Sequence, residues 1–81
     1  MSAMTEDRSQ IFRIYTPASV GAAIRHYRKE AGLSQAELAA RAGLSRDYIS
    51  DLETGQPEQL KRILRVLRRL GVRMTLEKAD W

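Results

Sequence analysis

Two serines set eleven positions apart, Ser34 and Ser45, each open a short block with helical spacing. The first block, Ser34-Gln35-Ala36-Glu37-Leu38-Ala39, has the form of a capping box. Its serine hydroxyl and glutamate carboxylate satisfy each other's orphan backbone amides. The second runs from Ser45 through Ile49 and Leu52, and Gly43-Leu44 is all that separates the two. A glycine there reads as a left-handed stop that turns the chain sharply between two helices. The small Ala36, Ala39, Ala40 and Ala42 let another helix approach closely. A chain constrained in this way has few folds available beyond a tight helix pair on a shared apolar seam.

That pair is the sequence form of a helix-turn-helix, which in a basic chain points to the DNA major groove. The chain is basic: 14 Lys and Arg against 10 Asp and Glu, a net charge of +4 over 81 residues. The excess is concentrated. Lys61, Arg62, Arg65, Arg68, Arg69 and Arg73 occur without an intervening acid. With 43% hydrophobic and 30% charged residues the composition is that of one small soluble domain, not a disordered chain. No apolar run approaches the roughly 20 residues a membrane span needs. The polar start, Met1 to Gln10, does not read as a signal peptide. No cysteine is present, which excludes disulfides and thiolate chemistry and fits a cytoplasmic protein.

Further elements flank the central pair. Residues 1–10 read as a mobile leader, 11–71 as the helix-turn-helix domain, and 72–81 as a dimerisation strand and tail. Ile11-Phe12-Arg13-Ile14-Tyr15 has β-favouring side chains and reads as a short strand or a packed extended arm. Thr16-Pro17 opens a helix with Val20, Ala23, Ile24, Tyr27 and Ala31 on its apolar stripe, and Gly32 stops it. Gly55 ends the third helix. Pro57 and Glu58 open a fourth, with Leu60, Ile63, Leu64, Leu67 and Leu70 on one face and Gly71 at its end. Val72 to Glu77 alternates with period two, as a half-buried strand does. Such a strand needs a partner: Ile11–Tyr15, or its twin in a second copy. The second copy is the favoured expectation, because a two-fold dimer also supplies two DNA half-sites. The expected fold class is all-α, a lambda-repressor-like helix-turn-helix bundle of about four to five helices. Its short C-terminal strand would pair across a homodimer.

From Val20 through Leu76 the chain resembles the Cro/repressor (XRE-type) helix-turn-helix family. The resemblance rests on Ile24-Arg25, Arg28, Gly32-Leu33-Ser34-Gln35, Glu37-Leu38-Ala39, Ala42-Gly43-Leu44-Ser45, Ile49-Ser50, Leu52-Glu53, Gly55, Ile63-Leu64 and Leu70-Gly71-Val72. Within that family it is most similar to HipB-like antitoxins, through Ile14-Tyr15-Thr16-Pro17 and Met74-Thr75-Leu76. The resemblance implies a homodimer joined through Val72, Met74, Thr75 and Leu76, binding to a palindromic double-stranded DNA operator, and a toxin partner of the HipA-like kinase type. It also implies that Arg28 and Glu53 form a structural ion pair fixing the first helix against the third. One departure is the short segment Thr54-Gly55-Gln56-Pro57-Glu58, which carries an acid where family members commonly place a phosphate contact.

The candidate DNA-binding residues are Ser34, Gln35, Ser45, Arg46, Asp47, Tyr48, Ser50 and Asp51. Ser34 offers a helix N-terminus to a phosphate, or serves only as a cap; Gln35 can reach the backbone or a base edge. Arg46 suits guanine O6 and N7, while Asp47 either accepts from cytosine N4 or orients Arg46. Tyr48 packs on a sugar or thymine methyl, or covers the first helix. Ser45 and Ser50 are phosphate or base-edge donors, or exposed polar filler. Asp47 and Asp51 are unfavourable near phosphates, so they imply specific cytosine contacts, weak non-specific binding, or a surface for something other than DNA. The basic face Arg62, Arg65, Arg69 flanks DNA, grips an acidic partner, or is simply solvated. Trp81 is a terminal indole suited to anchoring a partner, or to folding back on its own strand. His26 stands alone and reads as a surface histidine, so no metal site is implied. No cofactor is implied either, and no nucleophile or phosphate loop suggests an enzyme. The remaining readings are a stand-alone or phage-type regulator, and a protein-neutralising module with weak DNA affinity.

Overall fold

The computed structural model describes residues 11–79, so the N-terminal leader and Trp81 lie outside the described residues. The order of elements is β1 (Ile11–Ile14), α1 (Pro17–Glu30), α2 (Gln35–Ala42), α3 (Arg46–Glu53), α4 (Glu58–Leu70) and β2 (Met74–Glu77). Among the described residues no helix is long and apolar enough to cross a membrane.

Local chemistry sets the helix boundaries. Thr16 caps α1 and Pro17 occupies its first turn, where a missing N–H costs nothing. Ser19 completes a capping box: its Oγ accepts from the Thr16 amide at 3.0 Å while Thr16 Oγ1 accepts from the Ser19 amide. Ser34 and Glu37 form the second box, with the Ser34 amide donating to Glu37 Oε1 at 2.8 Å and Glu37 N donating to Ser34 Oγ at 3.0 Å. These hydrogen bonds from Ser34 hold the Glu37 carboxyl below its ordinary pKa. Ser45 caps α3 by accepting from the Tyr48 amide.

The core is small and drawn from β1 and the first three helices. Its buried apolar side chains are Ile14, Val20, Ala23, Ala39 and Ile49. Ala23, on α1, is fully enclosed. Gly21 marks the closest approach. A Cβ at this position would meet the backbone carbonyls of Leu52 and Glu53, the former at 2.5 Å. A helix-interior glycine is ordinarily costly, and here it is what allows α1 to lie against the C-terminal end of α3.

Within the chain the terminal strand takes the first of its two expected partners. β2 pairs antiparallel with β1 of the same chain, in the register Ile11 to Glu77, Phe12 to Leu76, Arg13 to Thr75 and Ile14 to Met74. Thus Val72 leads into, and Met74, Thr75 and Leu76 belong to, a strand paired with β1 within the chain, whose other edge carries no strand among the described residues. The physical reason is that both strands alternate in phase. Phe12, Ile14, Met74 and Leu76 all turn to the sheet face that covers the helices, and Ile14 is 3% exposed. Pairing within one chain also avoids the entropic cost of association.

His26 departs from its expected place on the surface. It is half-buried among rings, 5.1 Å from both the Phe12 and Tyr27 centroids, and is not a surface histidine. The β1 arm supplies Phe12 to this cluster, a contact invisible to helical periodicity. The fourth helix departs as well. Its expected apolar face is only half covered by Leu60, Leu64 and Leu67, and no α4 residue is buried.

Replacing Gly21 with alanine separates close approach from helix propensity. On an open helix the change stabilises by about 1 kcal/mol. Against the α3 carbonyls it should destabilise, by about 1–3 kcal/mol. Urea denaturation followed by circular dichroism reads the sign, and a raised midpoint would contradict the packing described.

Candidate nucleic-acid interface

The helix pair is built around a left-handed glycine. Gly43 has φ +73°, and the Leu44 amide returns to the Ala39 carbonyl at 2.9 Å, so the chain reverses in three residues, Gly43-Leu44-Ser45. α2 and α3 pack directly on one another, and α3 packs on α1. Ile49, 3% exposed, anchors α3 from beneath. Around it Arg46, Asp47, Tyr48 and Asp51 are all exposed and Ser50 is half-buried, with Asp47 and Asp51 on the side opposite Ile49.

A single carboxylate fixes this helix in place. Glu53 Oε2 accepts from Arg28 Nε, at 2.6 Å, and Glu53 Oε1 accepts from Arg28 Nη2 at 3.0 Å and from Gln35 Nε2 at 3.1 Å. Arg28 Nη1 donates to the Leu33 carbonyl at 2.9 Å. The Arg28–Glu53 contact is a planar two-point fork, the strong form of such a pair, and solvent barely reaches it: 10% and 5% side-chain exposure. The Arg28 hydrogen bonds hold the Glu53 carboxyl below the usual carboxylate range, helped by Gln35, and Glu53 in turn raises the Arg28 guanidinium. The network ties α1, the turn before α2, the start of α2 and the end of α3 into one rigid unit.

The candidate residues divide by what they already touch. Ser34 and Ser45 spend their hydroxyls on caps at the starts of α2 and α3. Gln35 directs its amide nitrogen inward to Glu53, so it positions α2 before it contacts anything outside. Arg46 reaches outward with its guanidinium 3.9 Å from Asp47 Oδ1, a loose exposed pair that leaves donors free. Tyr48 is 45% exposed. Thr54 Oγ1 donates back to the Ser50 and Asp51 carbonyls, closing the end of α3. Sequence inspection missed Gly21 and the inward role of Gln35. A glycine inside an otherwise alanine-rich helix was the available signal for the first.

Together these features define a short, rigid helix presented by a glycine turn, polar and exposed on one side and anchored on the other. The chain belongs to the helix-turn-helix domain family: the family described as "Helix-turn-helix domain" matches residues 19–79. It is 50% identical over 60 residues to the "Uncharacterized HTH-type transcriptional regulator y4mF" of Sinorhizobium fredii (strain NBRC 101917 / NGR234), covering 73% of this chain and 79% of that protein. It is also 49% identical over 37 residues to the "ImmF control region 10 kDa protein" of Bacillus phage phi105, covering 46% of this chain and 41% of that protein. No solved structure matches it.

Because Glu53 titrates below its unfolded value, its stabilisation is complete above about pH 4.3 and is lost as pH falls through the folded pKa. Glu53→Gln should therefore lower the urea midpoint at neutral pH and flatten its decline on acidification. Replacing Arg28 and Glu53 together with leucine should recover part of that loss, since no charge is then stranded. Purely additive losses in the pair would show that the two residues do not act as a unit.

Proposed function

We propose that this protein is a sequence-specific DNA-binding regulator of transcription, with α3 as the helix that enters the major groove. The observation that carries this reading is α3 itself: Ile49 is buried beneath it while Arg46, Asp47, Tyr48 and Asp51 stand exposed on its outer side. Arg46 at the first turn of such a helix is placed to meet a guanine edge, and the amides at Ser34 and Ser45 to meet flanking phosphates. Asp47 and Asp51 lower general affinity for the polyanion and favour sites with cytosine amino groups, which raises selectivity at the expense of non-specific binding. The regulatory role given in the name of the Sinorhizobium relative supports the same reading.

The finer role rests on sequence resemblance. Ile14-Tyr15-Thr16-Pro17 and Met74-Thr75-Leu76, similar to HipB-like antitoxins, support a homodimeric antitoxin that represses its own operon and neutralises a HipA-like kinase toxin. In such a homodimer the second edge of β2, open in the two-stranded sheet, would pair with its twin. Trp81 would anchor the toxin. A stand-alone or phage-type regulator is the second reading, favoured by the likeness over 37 residues to a phage control-region protein.

The test is binding to duplex DNA taken from around the protein's own gene. A specific complex is expected whose log K falls nearly linearly with log[salt]. Arg46→Ala should weaken it by about 1–3 kcal/mol, mostly through one base pair, which substituted duplexes locate. An equal loss on every sequence would remove Arg46 from base recognition. A wild-type complex indifferent to sequence would overturn the regulator reading itself.

A further inference from the structure

We propose that the cavity between the start of α1 and α4 is a binding site for a small organic phosphate monoester. Lys61, Arg65 and Arg68 line it from α4 and face Tyr15, Thr16 and Pro17 across about 220 Å³. Spacings of four and then three residues set the three cations within roughly 60° of arc on one side of α4. Among the described residues neither Arg65 nor Arg68 forms an ion pair, and Lys61 Nζ meets only Glu58 Oε1, at 3.7 Å and exposed. Three cations less one carboxylate leave two positive charges. That is the complement of a phosphate monoester, which carries about −1.5 to −2 at neutral pH. The facing wall is held in place. Ser19 Oγ accepts from the Tyr15 and Thr16 amides, each at 3.0 Å. Thr16 Oγ1 accepts from the Ser19 amide at 3.2 Å, which leaves its own proton free to donate to an anion. Pro17, Leu64 and the exposed ring of Tyr15 add an apolar side for the organic part of the ligand.

The site is compatible with the other surfaces of the chain. The exposed apolar stripe of α4, Ile63, Val66 and Leu70, is centred roughly 170° around the helix from the three cations. A second copy seated on that stripe therefore leaves the cavity open. The start of α1 also lies by the C-terminal end of α3: a Cβ at Gly55 would meet the Ala18 amide nitrogen at 2.9 Å. Arg46 opens the other end of α3, roughly 12 Å along the helix. The inference rests on no part of the DNA reading.

Phenyl phosphate, phenol and inorganic phosphate are the probes, each titrated into the full chain by calorimetry in a low-salt buffer. Phenyl phosphate should bind at one per chain, inorganic phosphate more weakly, and phenol not at all. Arg65→Gln and Arg68→Gln should each weaken phenyl phosphate at least about tenfold. Arg62→Gln and Arg69→Gln remove the same charge from α4 outside the cavity, and should change binding less than about twofold. All four replace exposed side chains, so the thermal midpoint should hold. No binding of phenyl phosphate, or equal losses in all four variants, would overturn the proposal. Inorganic phosphate binding as tightly as phenyl phosphate would overturn the monoester assignment. Loss of duplex affinity in Arg65→Gln and Arg68→Gln, with no phenyl phosphate bound by the wild type, would assign these cations to a DNA backbone instead.

Discussion

The fork between Arg28 and Glu53 is the contact on which the presented geometry depends. One carboxylate receives three donors from two helices, while the arginine reaches on to the Leu33 carbonyl at the turn before α2. A pair so little exposed to solvent contributes orientation more than net stability, because desolvation offsets much of the attraction. Its value lies in geometry. The planar guanidinium admits one bidentate arrangement, and that arrangement sets where α3 ends relative to α1. Gly21, two helical turns before Arg28 on α1, reinforces it by letting the α3 carbonyls settle against the α1 backbone. Glu53 is thus held twice, through its side chain by Arg28 and through its backbone by close contact at Gly21.

Under the proposed reading, rigidity of this kind serves recognition. A two-turn helix has little stability of its own and would fray if it were free in water. Held at one end by Glu53, capped at the other by Ser45 and anchored beneath by Ile49, α3 loses little further entropy when it meets a partner surface. Its outward side mixes one guanidinium, two carboxylates and a phenol. That mixture suits selectivity better than affinity, since the acids oppose a phosphate backbone wherever base contacts do not compensate. The strong positive field sits elsewhere, on α4.

Helix starts were legible in the sequence because capping is local: Thr16, Ser34 and Ser45 each meet a partner three residues on. The turn at Gly43 was legible for the same reason, one residue in a left-handed conformation. The pairing of Arg28 with Glu53 spans 25 positions and was reachable only through family resemblance, not periodicity. What stayed hidden was long-range choice. Alternation announced that residues 72–77 need a neighbouring strand, but nothing local chooses between β1 and a second copy. Amphipathicity likewise announced an apolar side on α4 without saying that the domain covers only half of it. His26 went astray because its companions, Phe12 above all, arrive from another element.

The central claim is that α3, locked from behind, is the surface that meets the duplex. Amide chemical-shift mapping of the ¹⁵N-labelled chain, titrated with a duplex selected from a random pool, tests it most directly. The account predicts that the largest perturbations fall on Ser45 to Asp51 and on Ser34 and Gln35, with the α4 amides nearly still. Perturbations concentrated on α4 or the two-stranded sheet, with α3 unmoved, would contradict it.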